Sequence, residues 1–491
     1  MENSYQKFTK DVIVIGITQI LISLSGIIFL PLITKKLGAA DYGIWTQVLA
    51  AISLVTGLVG LGLPYAMTRF LPIKTKKEEI QEEFWSVFTL VSLVTIIISI
   101  IIIIAAKLIA RFFFNGATDI IRITGLIILV NSLNGVFTGF FRSLRQMIRY
   151  AIFSILNTYC QIGLIVILVL NGQGIMSMTL ALLAINIAIL FSLFLVTKHQ
   201  IGIIRPHFNK IKDYLSFGIP TIPGNISAWV VFSSDTFVIG YFLGVFSVGI
   251  YSAATGLGDI PIMIISILGF ILPPALAKLY DEGKMHELKI HISYSLKYSL
   301  ALAIPFVFGA AVLGEPILRL FSTPEIAEKG HIILTFETIN SLVLVSCGVV
   351  NHILVVVKKT RIIGISWIIA AAINLGLNVL MVPRIGIIGG VLSTFVAYLA
   401  AEIIQLYFSF KEFTIPIDWR FIIKCLIASG IMSIVIWLMK PTNSYTILLT
   451  VLVGVITYGI TIIVLKGFSR NEFVFFRGLV SGLLRIKTER G

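Results

Sequence analysis

Residues 29–71 read FLPLITKKLGAADYGIWTQVLAAISLVTGLVGLGLPYAMTRFL, and a weaker copy of the middle of this stretch recurs about two hundred residues later. The first copy is LGAADYGIW at residues 37–45, which we call the first hinge. The second copy is LGVFSVGIY at residues 243–251, the second hinge, and both glycines recur at a constant offset of 206 residues. Because each copy lies between two long apolar runs, it predicts a tight connection between paired membrane helices.

The composition identifies an integral membrane protein. Of the 491 residues, 57% are hydrophobic and 12% are charged, with a mean hydropathy of +1.01, whereas about 25% of the residues are charged in a soluble domain. No polar block exceeds about 25 residues, which leaves no room for a soluble catalytic domain. The net charge is +15, and the basic residues lie mainly between the apolar runs, where such residues set the membrane topology. No nucleic-acid partner is therefore expected.

Apolar runs of 18 or more residues predict an all-α polytopic membrane protein with about fourteen transmembrane helices. The runs lie near residues 11–33, 43–63, 85–106, 119–141, 149–170, 174–196, 214–242, 248–275, 298–320, 330–355, 361–382, 386–408, 420–439 and 444–466. The three cysteines fall singly within such runs, which predicts small packing residues rather than disulfides or metal ligands. No metal or cofactor is expected.

The distribution of basic residues predicts the topology. If the N-terminus is cytoplasmic, 29 of the 38 Lys and Arg residues lie in cytoplasmic segments. This asymmetry favours an even number of spans in the cytoplasmic membrane, with both termini cytoplasmic. The C-terminal segment 469–491 is basic and amphipathic, which predicts a cytoplasmic tail on the inner leaflet.

The internal repeat extends beyond the hinges. Arg149 and the apolar run ending in Gly174-Ile175 match Arg361 and the run ending in Gly386-Ile387, at an offset of 212 residues. The expected division is into two six-helix bundles, two additional helices and the tail, at residues 1–200, 201–412, 413–468 and 469–491. An even number of helices in each bundle makes the repeats parallel, and a substrate path between parallel repeats is common in transporters.

Three stretches carry a family resemblance. They are ITKKLGAADYGIW with GLGLPYAMTRFLP at residues 33–45 and 60–72, LSFGIPTIPGN through SSDTFVIGYFLG to VGIYSAA at residues 215–254, and VPRIGIIGGVLSTFVAY at residues 382–398. In these stretches the chain resembles the polysaccharide-transport branch of the multidrug/oligosaccharidyl-lipid/polysaccharide exporter superfamily. That branch includes Wzx-type O-antigen flippases and is related to the MurJ lipid II flippases.

The resemblance covers most of residues 11–408 and implies two six-helix bundles around a cavity that opens to each side in turn. It implies a flippase, not an enzyme, that translocates a lipid-linked oligosaccharide, an isoprenoid pyrophosphate glycan, for surface polysaccharide biosynthesis. Besides membrane lipids, the expected partners are polysaccharide polymerases or glycosyltransferases. A cation-coupled multidrug exporter of the MATE class and a non-transporting membrane protein of polysaccharide assembly remain alternatives.

Asp259 is the ionisable residue closest to the middle of a predicted helix. A charge at that depth costs roughly 2.5–3.5 kcal/mol on insertion scales, so such a group is expected to face a cavity. Asp259 also precedes the helix-breaking Pro261 by two residues. As a cavity carboxylate it would carry a proton or Na⁺, or meet a sugar hydroxyl. The alternative is a pair with a hydroxyl or Arg of a neighbouring helix.

Three basic residues are candidate contacts for an anionic headgroup. Lys35 and Lys36 end the first predicted helix, and Lys35 stands where the family usually has Arg. Arg69 matches the Arg that the family carries at the inner end of the second helix. The alternatives are that the two lysines extend to the membrane interface and that Arg69 anchors the topology.

Three further acidic residues, Asp235, Glu337 and Glu402, are candidates for ion coupling or gating, or else form interhelical hydrogen bonds. Between Tyr251 and Asp259 no basic residue occurs, although MurJ-like sequences carry an Arg in this region. This difference favours a lipid-linked glycan other than lipid II. Enzyme motifs are absent from the sequence: it has no Walker sequence, no His-Glu-x-x-His and no Asp-x-Asp in a hydrophilic loop.

Overall fold

A computed structural model describes residues 2–468 and Glu472, except for the side chains of residues 2–10, 12, 13, 27, 264–268, 270 and 271. Within this part the chain forms helices joined by short connections and contains no strand. The predicted tail at residues 469–491 lies outside the described residues, apart from Glu472. The helices are α1 Glu2–Val59, α2 Leu63–Phe70, α3 Lys77–Phe113, α4 Thr118–Ser143, α5 Met147–Leu170, α6 Ile175–Ile201, α7 Ile211–Gly218, α8 Ile222–Leu243, α9 Val245–Gly258, α10 Ile260–Asp281, α11 Met285–Phe321, α12 Pro324–Val350, α13 His352–Val356, α14 Thr360–Ile385, α15 Ile387–Glu412, α16 Trp419–Met439 and α17 Ser444–Val464.

The two hinges have the same backbone conformation. Gly38 has φ 83° and ψ −178°, which divides α1 into a first limb, residues 2–37, and a second limb, residues 39–59. Gly244 has φ 80° and ψ 168° and separates α8 from α9. Residues with a side chain rarely adopt these angles, so each hinge requires glycine. Both hinges join one helix to the next without a loop, as the repeated motif predicted.

Twelve helices in the described residues are long and apolar enough to cross a membrane. The predicted count of fourteen is therefore not confirmed, although the all-α membrane fold is. The first two predicted spans correspond to the two limbs of α1, which this count takes together because the chain is helical on both sides of Gly38. The predicted span 248–275 is divided at Asp259 into α9, which is only 14 residues long, and α10.

The helices pack in groups that follow the chain. In the first half, α3 packs on α4, α5 on α1, and α6 on α4. In the second half, α11 packs on α12, and α14 packs on both α15 and α8. The last helix pair continues this arrangement, since α16 lies on α11 and α17 on α16. The exact domain limits at residues 200 and 412 stay predictions, but the packing places the space between the halves beside α1, α8 and α9.

Candidate transport site

The two hinges contact each other at one end of the molecule, which we call the hinge face. A Cβ atom on Gly43 would overlap the carbonyl oxygen of Val245 and lie 2.9 Å from the backbone nitrogen of Gly249. A Cβ atom on Gly249 would likewise overlap the carbonyl oxygen of Ala39 and lie 2.7 Å from its carbonyl carbon. The backbones of the two halves therefore touch directly, which is possible only because both positions are glycine.

This contact has approximate two-fold symmetry. Ala39 and Val245 are separated by 206 residues, as are Gly43 and Gly249, so each half offers the same carbonyl to the same glycine of the other. One turn further along, the Ser252 hydroxyl donates a hydrogen bond of 3.1 Å to the Thr46 hydroxyl, again between equivalent positions. A contact between equivalent residues places the pseudo-two-fold axis through the hinge face.

Lys35 and Lys36 lie at the hinge face and are exposed. The Lys35 ammonium donates to the carbonyl oxygen of Leu320 at 2.6 Å, and Thr34 donates to the carbonyl oxygen of Phe321 at 3.2 Å. Both carbonyls belong to the last turn of α11, where the helix dipole favours a positive charge. Lys35 thus has a structural partner at this face and lies away from the space between α1 and α8.

A second glycine contact lies at the other end of the second limb of α1. We call this end of the molecule the opposite face. Gly62 follows α1 with φ 66°, and a Cβ atom there would overlap the carbonyl oxygen of Gly218 at the end of α7. A Cβ atom on Gly218 would lie 2.5 Å from the carbonyl oxygen of Leu61. The second limb of α1 therefore meets the second half at both of its ends.

A buried charge cluster reinforces the opposite face. The Glu83 carboxylate lies 2.9 Å from the Lys74 ammonium and 3.4 Å from the Lys210 ammonium, and it accepts a 2.6 Å hydrogen bond from the Tyr214 hydroxyl. The hydrogen bond to Glu83 raises the pKa of Lys74 above its ordinary value. Because Tyr214 belongs to α7 and Glu83 to α3, the cluster holds the two halves together.

The segment between the halves, residues 202–210, is attached to α3. The Trp85 indole donates to the carbonyl oxygen of Gly202 at 2.9 Å. The Ser86 hydroxyl donates to the carbonyl oxygen of His207 at 2.8 Å and accepts from its backbone N–H at 3.0 Å. The connecting segment is therefore held against the first half, and Tyr214 lies close to the point where the segment joins α7.

Between the two faces, side chains join the second limb of α1 to α8. Gln47 donates from its amide to the carbonyl oxygen of Thr236 at 2.9 Å. The Trp229 indole N–H lies 3.2 Å from the carbonyl oxygen of Ala50 and 3.1 Å from the hydroxyl oxygen of Ser53. We call the whole contact between α1 and the second half, from the hinge face to the opposite face, the seam.

A cavity of about 210 Å³ lies along the seam, and we call it the seam cavity. Ser53 and Gly57 line it from α1, and Asn225 and Trp229 line it from α8. Leucine and isoleucine side chains of the same two helices complete the wall. The second limb of α1 contacts the other half at Gly43 and near Gly62, so the seam cavity lies between the two glycine contacts.

A second cavity, of about 270 Å³, lies between the second half and the last two helices. We call it the apolar cavity, because its wall is made mainly of aliphatic and aromatic side chains. Examples are Pro305 and Phe306 of α11, Met432 of α16 and Val455 of α17. The two cavities thus differ in chemistry, since the seam cavity has several polar groups in its wall and the apolar cavity is lined mainly by hydrocarbon.

Asp235 is buried at the centre of a polar network in the second half. Its carboxylate accepts hydrogen bonds from the Tyr251 hydroxyl at 2.5 Å and from the Thr394 hydroxyl at 2.8 Å. The amides of Asn374, at 3.4 Å, and of Asn378 also donate to it. These partners come from α9, α14 and α15, so Asp235 connects four helices without a basic residue.

We expect Asp235→Asn to destabilise the protein. The variant keeps the shape of the side chain but places an NH₂ group among neighbouring donors, and leaving a buried donor unsatisfied costs about 1–3 kcal/mol. The measurement is the thermal unfolding midpoint of the purified protein. Asp213→Asn, at an exposed position outside the network, is the matched control. A midpoint equal to that of this control would contradict the role of Asp235 as the acceptor of the network.

The structure brings Asp259 and Glu337 together. Asp259 follows the last residue of α9, and its carboxyl group lies close to that of Glu337 on α12. Gly258 permits this approach, because a Cβ atom there would lie 2.6 Å from the Glu337 Cβ. The Ser341 hydroxyl also donates to the Gly258 carbonyl oxygen at 2.9 Å.

Every charged side chain that is buried in the described part of the chain is acidic. These side chains are Glu83, Asp235, Glu337, Glu402 and Glu472. Glu83 and Glu472 pair with lysines, whereas Glu402 accepts from the Asn351 amide at 3.1 Å. Within residues 2–468, Asp235, Glu337 and Glu402 have no ion-pair partner. Their described partners are hydrogen-bond donors such as the Tyr251 hydroxyl and the Asn340 amide.

The sequence-based candidates are distributed over separate places. Asp259 and Glu337 meet, while Asp235 and Glu402 belong to separate hydrogen-bond groups. Arg69 is exposed in the last turn of α2, near the opposite face. Sequence reasoning missed the seam cavity, although one signal was present. Asn225 and Trp229 are spaced i, i+4 on α8, so both lie on one face.

The chain matches the family described as polysaccharide biosynthesis protein over residues 33–325, which is more than half of its length. Among its relatives, the uncharacterized membrane protein MJ1068 of Methanocaldococcus jannaschii is 24% identical, over 92% of this chain and 94% of that protein. Agl15 of Haloferax volcanii, named a probable low-salt glycan biosynthesis flippase, is 22% identical over 53% of this chain. The match spans 55% of Agl15, about half its length.

The solved structure of the lipid II flippase MurJ in an inward closed conformation has the same fold. It superposes with a TM-score of 0.70 over 96% of this chain and all of MurJ, at 20% sequence identity. The family match includes both hinges and both halves of the seam. The fold and the family thus agree with the resemblance seen in the hinge stretches, and the chain belongs to the polysaccharide biosynthesis protein family.

Proposed function

We propose that this membrane protein is a flippase that moves a lipid-linked oligosaccharide between leaflets by opening its hinge face and its opposite face in turn. The observation that carries the proposal is the seam, in which glycine backbones close both faces and a cavity lies between them. Alternating access needs two closures along one path that open at different times. Glycine contacts are suited to this, because they separate without breaking interlocked side chains.

The two cavities support a substrate with two chemical parts. The seam cavity offers a hydroxyl, an amide and an indole, which suits a glycan. The apolar cavity between α11, α16 and α17 suits a segment of isoprenoid chain. The names of Agl15 as a probable flippase of glycan biosynthesis and of MurJ as a lipid II flippase support the same substrate class.

In this proposal the protein lies in the cytoplasmic membrane with both termini in the cytoplasm, so the hinge face points outward. The glycan arrives from glycosyltransferases at the opposite face and leaves towards a polysaccharide polymerase at the hinge face. Arg69 would then meet the pyrophosphate on the way in. Lys35 and Lys36 would meet it on the way out, Lys35 after releasing the Leu320 carbonyl.

The acidic interior supports ion coupling as the energy source. The carboxyl groups of Asp259 and Glu337 lie close together, and Asp235 and Glu402 are buried without a basic partner in the described residues. The same observation favours a second candidate function, a cation-coupled multidrug exporter. The two candidate functions differ in the transported molecule. A flippase would carry an anionic, sugar-bearing lipid, whereas a multidrug exporter usually carries a cation.

The deciding experiment reconstitutes the purified protein into liposomes with an isoprenyl pyrophosphate glycan and scores how much of it reaches an external reagent. We expect wild type to move the glycan and Asp259→Asn to lose most of this activity at unchanged protein abundance. If no glycan crosses while cationic dyes are expelled on an ion gradient, the multidrug function is correct instead. Normal transport by Asp259→Asn would remove that residue from the mechanism.

A further inference from the structure

We infer that the seam cavity is a sugar-binding subsite, in which a sugar ring lies against the Trp229 indole and hydrogen-bonds to the Asn225 amide. The inference rests on the proposed function, because the sugar belongs to the lipid-linked substrate. It goes further by assigning residues to one part of that substrate. It also separates sugar recognition from the acidic and basic residues singled out in the sequence.

The cavity wall is built from two facing helix surfaces. Ser53 and Gly57 are spaced i, i+4 on the second limb of α1, so they lie one above the other on one face. Asn225 and Trp229 have the same spacing on α8. The two pairs belong to different halves of the protein. A ligand between them therefore contacts both halves at once and depends on the state of the seam.

The Trp229 indole is held in a fixed orientation. Its N–H is directed at the Ala50 carbonyl oxygen and the Ser53 hydroxyl oxygen, and its ring packs 5.7 Å from the Phe237 ring, measured between centroids. The polar group of the indole is thus already satisfied, and its flat face remains for contact. An aromatic face held in place is suited to the C–H face of a sugar ring, because stacking then costs little side-chain entropy.

Asn225 supplies the directional contact. Its side chain is exposed at the cavity, and in the described part of the chain its amide has no hydrogen-bond partner. An amide offers two donors and an acceptor with two lone pairs. Adjacent sugar hydroxyls each donate and accept, so one Asn side chain can bind both. Few, well-placed polar groups in a mainly apolar wall are typical of small-molecule sites.

The size and charge of the cavity narrow the ligand class. Its volume of about 210 Å³ gives room for a sugar ring. Gly57 contributes to this space, since a Cβ atom there would meet nothing within 4 Å. The lining residues are all uncharged. A neutral ring therefore fits better than a pyrophosphate or a cationic drug.

The test measures dissociation constants with the full chain in lipid nanodiscs. The probes are a short isoprenyl pyrophosphate carrying one N-acetylhexosamine and the same isoprenyl pyrophosphate without the sugar. We expect wild type to bind the sugar-bearing probe more tightly. Asn225→Ala and Trp229→Ala should each weaken binding of that probe about tenfold and leave binding of the sugar-free probe unchanged. Trp229→Phe should retain most of the preference, because it keeps a ring face.

Gly57→Leu provides a steric version of the test. The Cβ atom of the new side chain meets nothing within 4 Å, and the remaining carbons would occupy the cavity, so the preference for the sugar-bearing probe should disappear. Gly163→Leu is the matched control, because Gly163 is an exposed helical glycine of α5 that also has no atom within 4 Å of its added Cβ. It should bind both probes like wild type.

The possible outcomes separate the subsite from the proposed function. If wild type prefers the sugar-bearing probe and the cavity variants keep that preference, the subsite is refuted and the flippase function stands. The subsite is also refuted if the variants weaken both probes equally, or if wild type binds both with the same affinity. If wild type binds neither probe, the proposed function fails and the subsite with it.

Discussion

Gly249→Ala is expected to force the hinge face open and to stop transport. The added Cβ would overlap the Ala39 carbonyl oxygen on the other half, and a backbone group cannot rotate away as a side chain can. Overpacking of this kind typically costs about 1–3 kcal/mol, which changes the population of the closed seam about five- to more than a hundredfold. Because the symmetric contact at Gly43 belongs to the same surface, both contacts should separate together.

The measurement is labelling of a single cysteine by a membrane-impermeant thiol reagent. Thr46→Cys places the thiol in the closed seam, in a background from which Cys160, Cys347 and Cys425 have been removed. With Gly249→Ala we expect this thiol to react much faster from the side of the hinge face. Gly256→Ala is the matched control, because Gly256 lies on the same helix and its added Cβ would meet nothing within 4 Å.

Labelling of the Gly249→Ala variant at the rate of the Gly256→Ala control would show that the hinge-face contact is not the closure. Faster labelling from the opposite face would also count against our interpretation. In that case the substitution would have unfolded the seam as a whole rather than opened one end of it. The thermal unfolding midpoints of the two variants distinguish a local opening from a general loss of stability.

Gly218→Ala is expected to produce the reverse pattern. Its Cβ would lie 2.5 Å from the Leu61 carbonyl oxygen, so the opposite face should open while the hinge face stays closed. A thiol at Leu58→Cys should then react faster from the opposite face, and transport should fall by about fivefold or more. The population argument is the same as for the hinge face, with an overpacking cost of about 1–3 kcal/mol.

The control for this second variant is Gly224→Ala. Gly224 lies six residues beyond Gly218, at the start of α8, and its added Cβ would meet nothing within 4 Å. If Gly218→Ala and Gly224→Ala label alike, the Gly62–Gly218 contact does not close a path. If Gly218→Ala accelerates labelling at the hinge face as well, the two faces do not open separately.

The hinges were predictable from the sequence, and their mutual contact was not. A repeated glycine between apolar runs predicts a turn at each site, and the structure has the same backbone angles at Gly38 and Gly244. The contact between Gly43 and Gly249 depends on how the halves pack, which no local pattern reports. In retrospect the repeat contained a signal, since a symmetric protein often places equivalent residues next to its symmetry axis.

The number of spans shows a related limit. Hydropathy measures apolar length but does not register a change of backbone direction. It nevertheless separates the two limbs of α1, because Lys35 and Lys36 interrupt the apolar run just before the turn at Gly38. It joins α9 and α10, in contrast, across Asp259, where the helix ends.

The candidate site was only partly predictable, for a chemical reason. Charged residues in apolar runs are conspicuous, so Asp235, Glu337 and Glu402 were selected from the sequence, and all three are buried. Uncharged residues carry no such signal. Asn225 and Trp229 resemble ordinary membrane-interface residues until the structure places them opposite Gly57. The partner of Lys35, a carbonyl at the end of α11 some 285 residues away, was equally invisible.

The most direct test of alternating access locks the hinge face. The hydroxyl oxygens of Thr46 and Ser252 are 3.1 Å apart, so cysteines at both positions should form a disulfide with little movement. In proteoliposomes prepared without Cys160, Cys347 and Cys425, we predict that oxidation of the Thr46→Cys/Ser252→Cys variant stops flipping of an isoprenyl pyrophosphate glycan. Reduction should restore it, and each single-cysteine variant should be insensitive to oxidation. A fully cross-linked protein that flips the glycan at the rate of its reduced form would contradict the account.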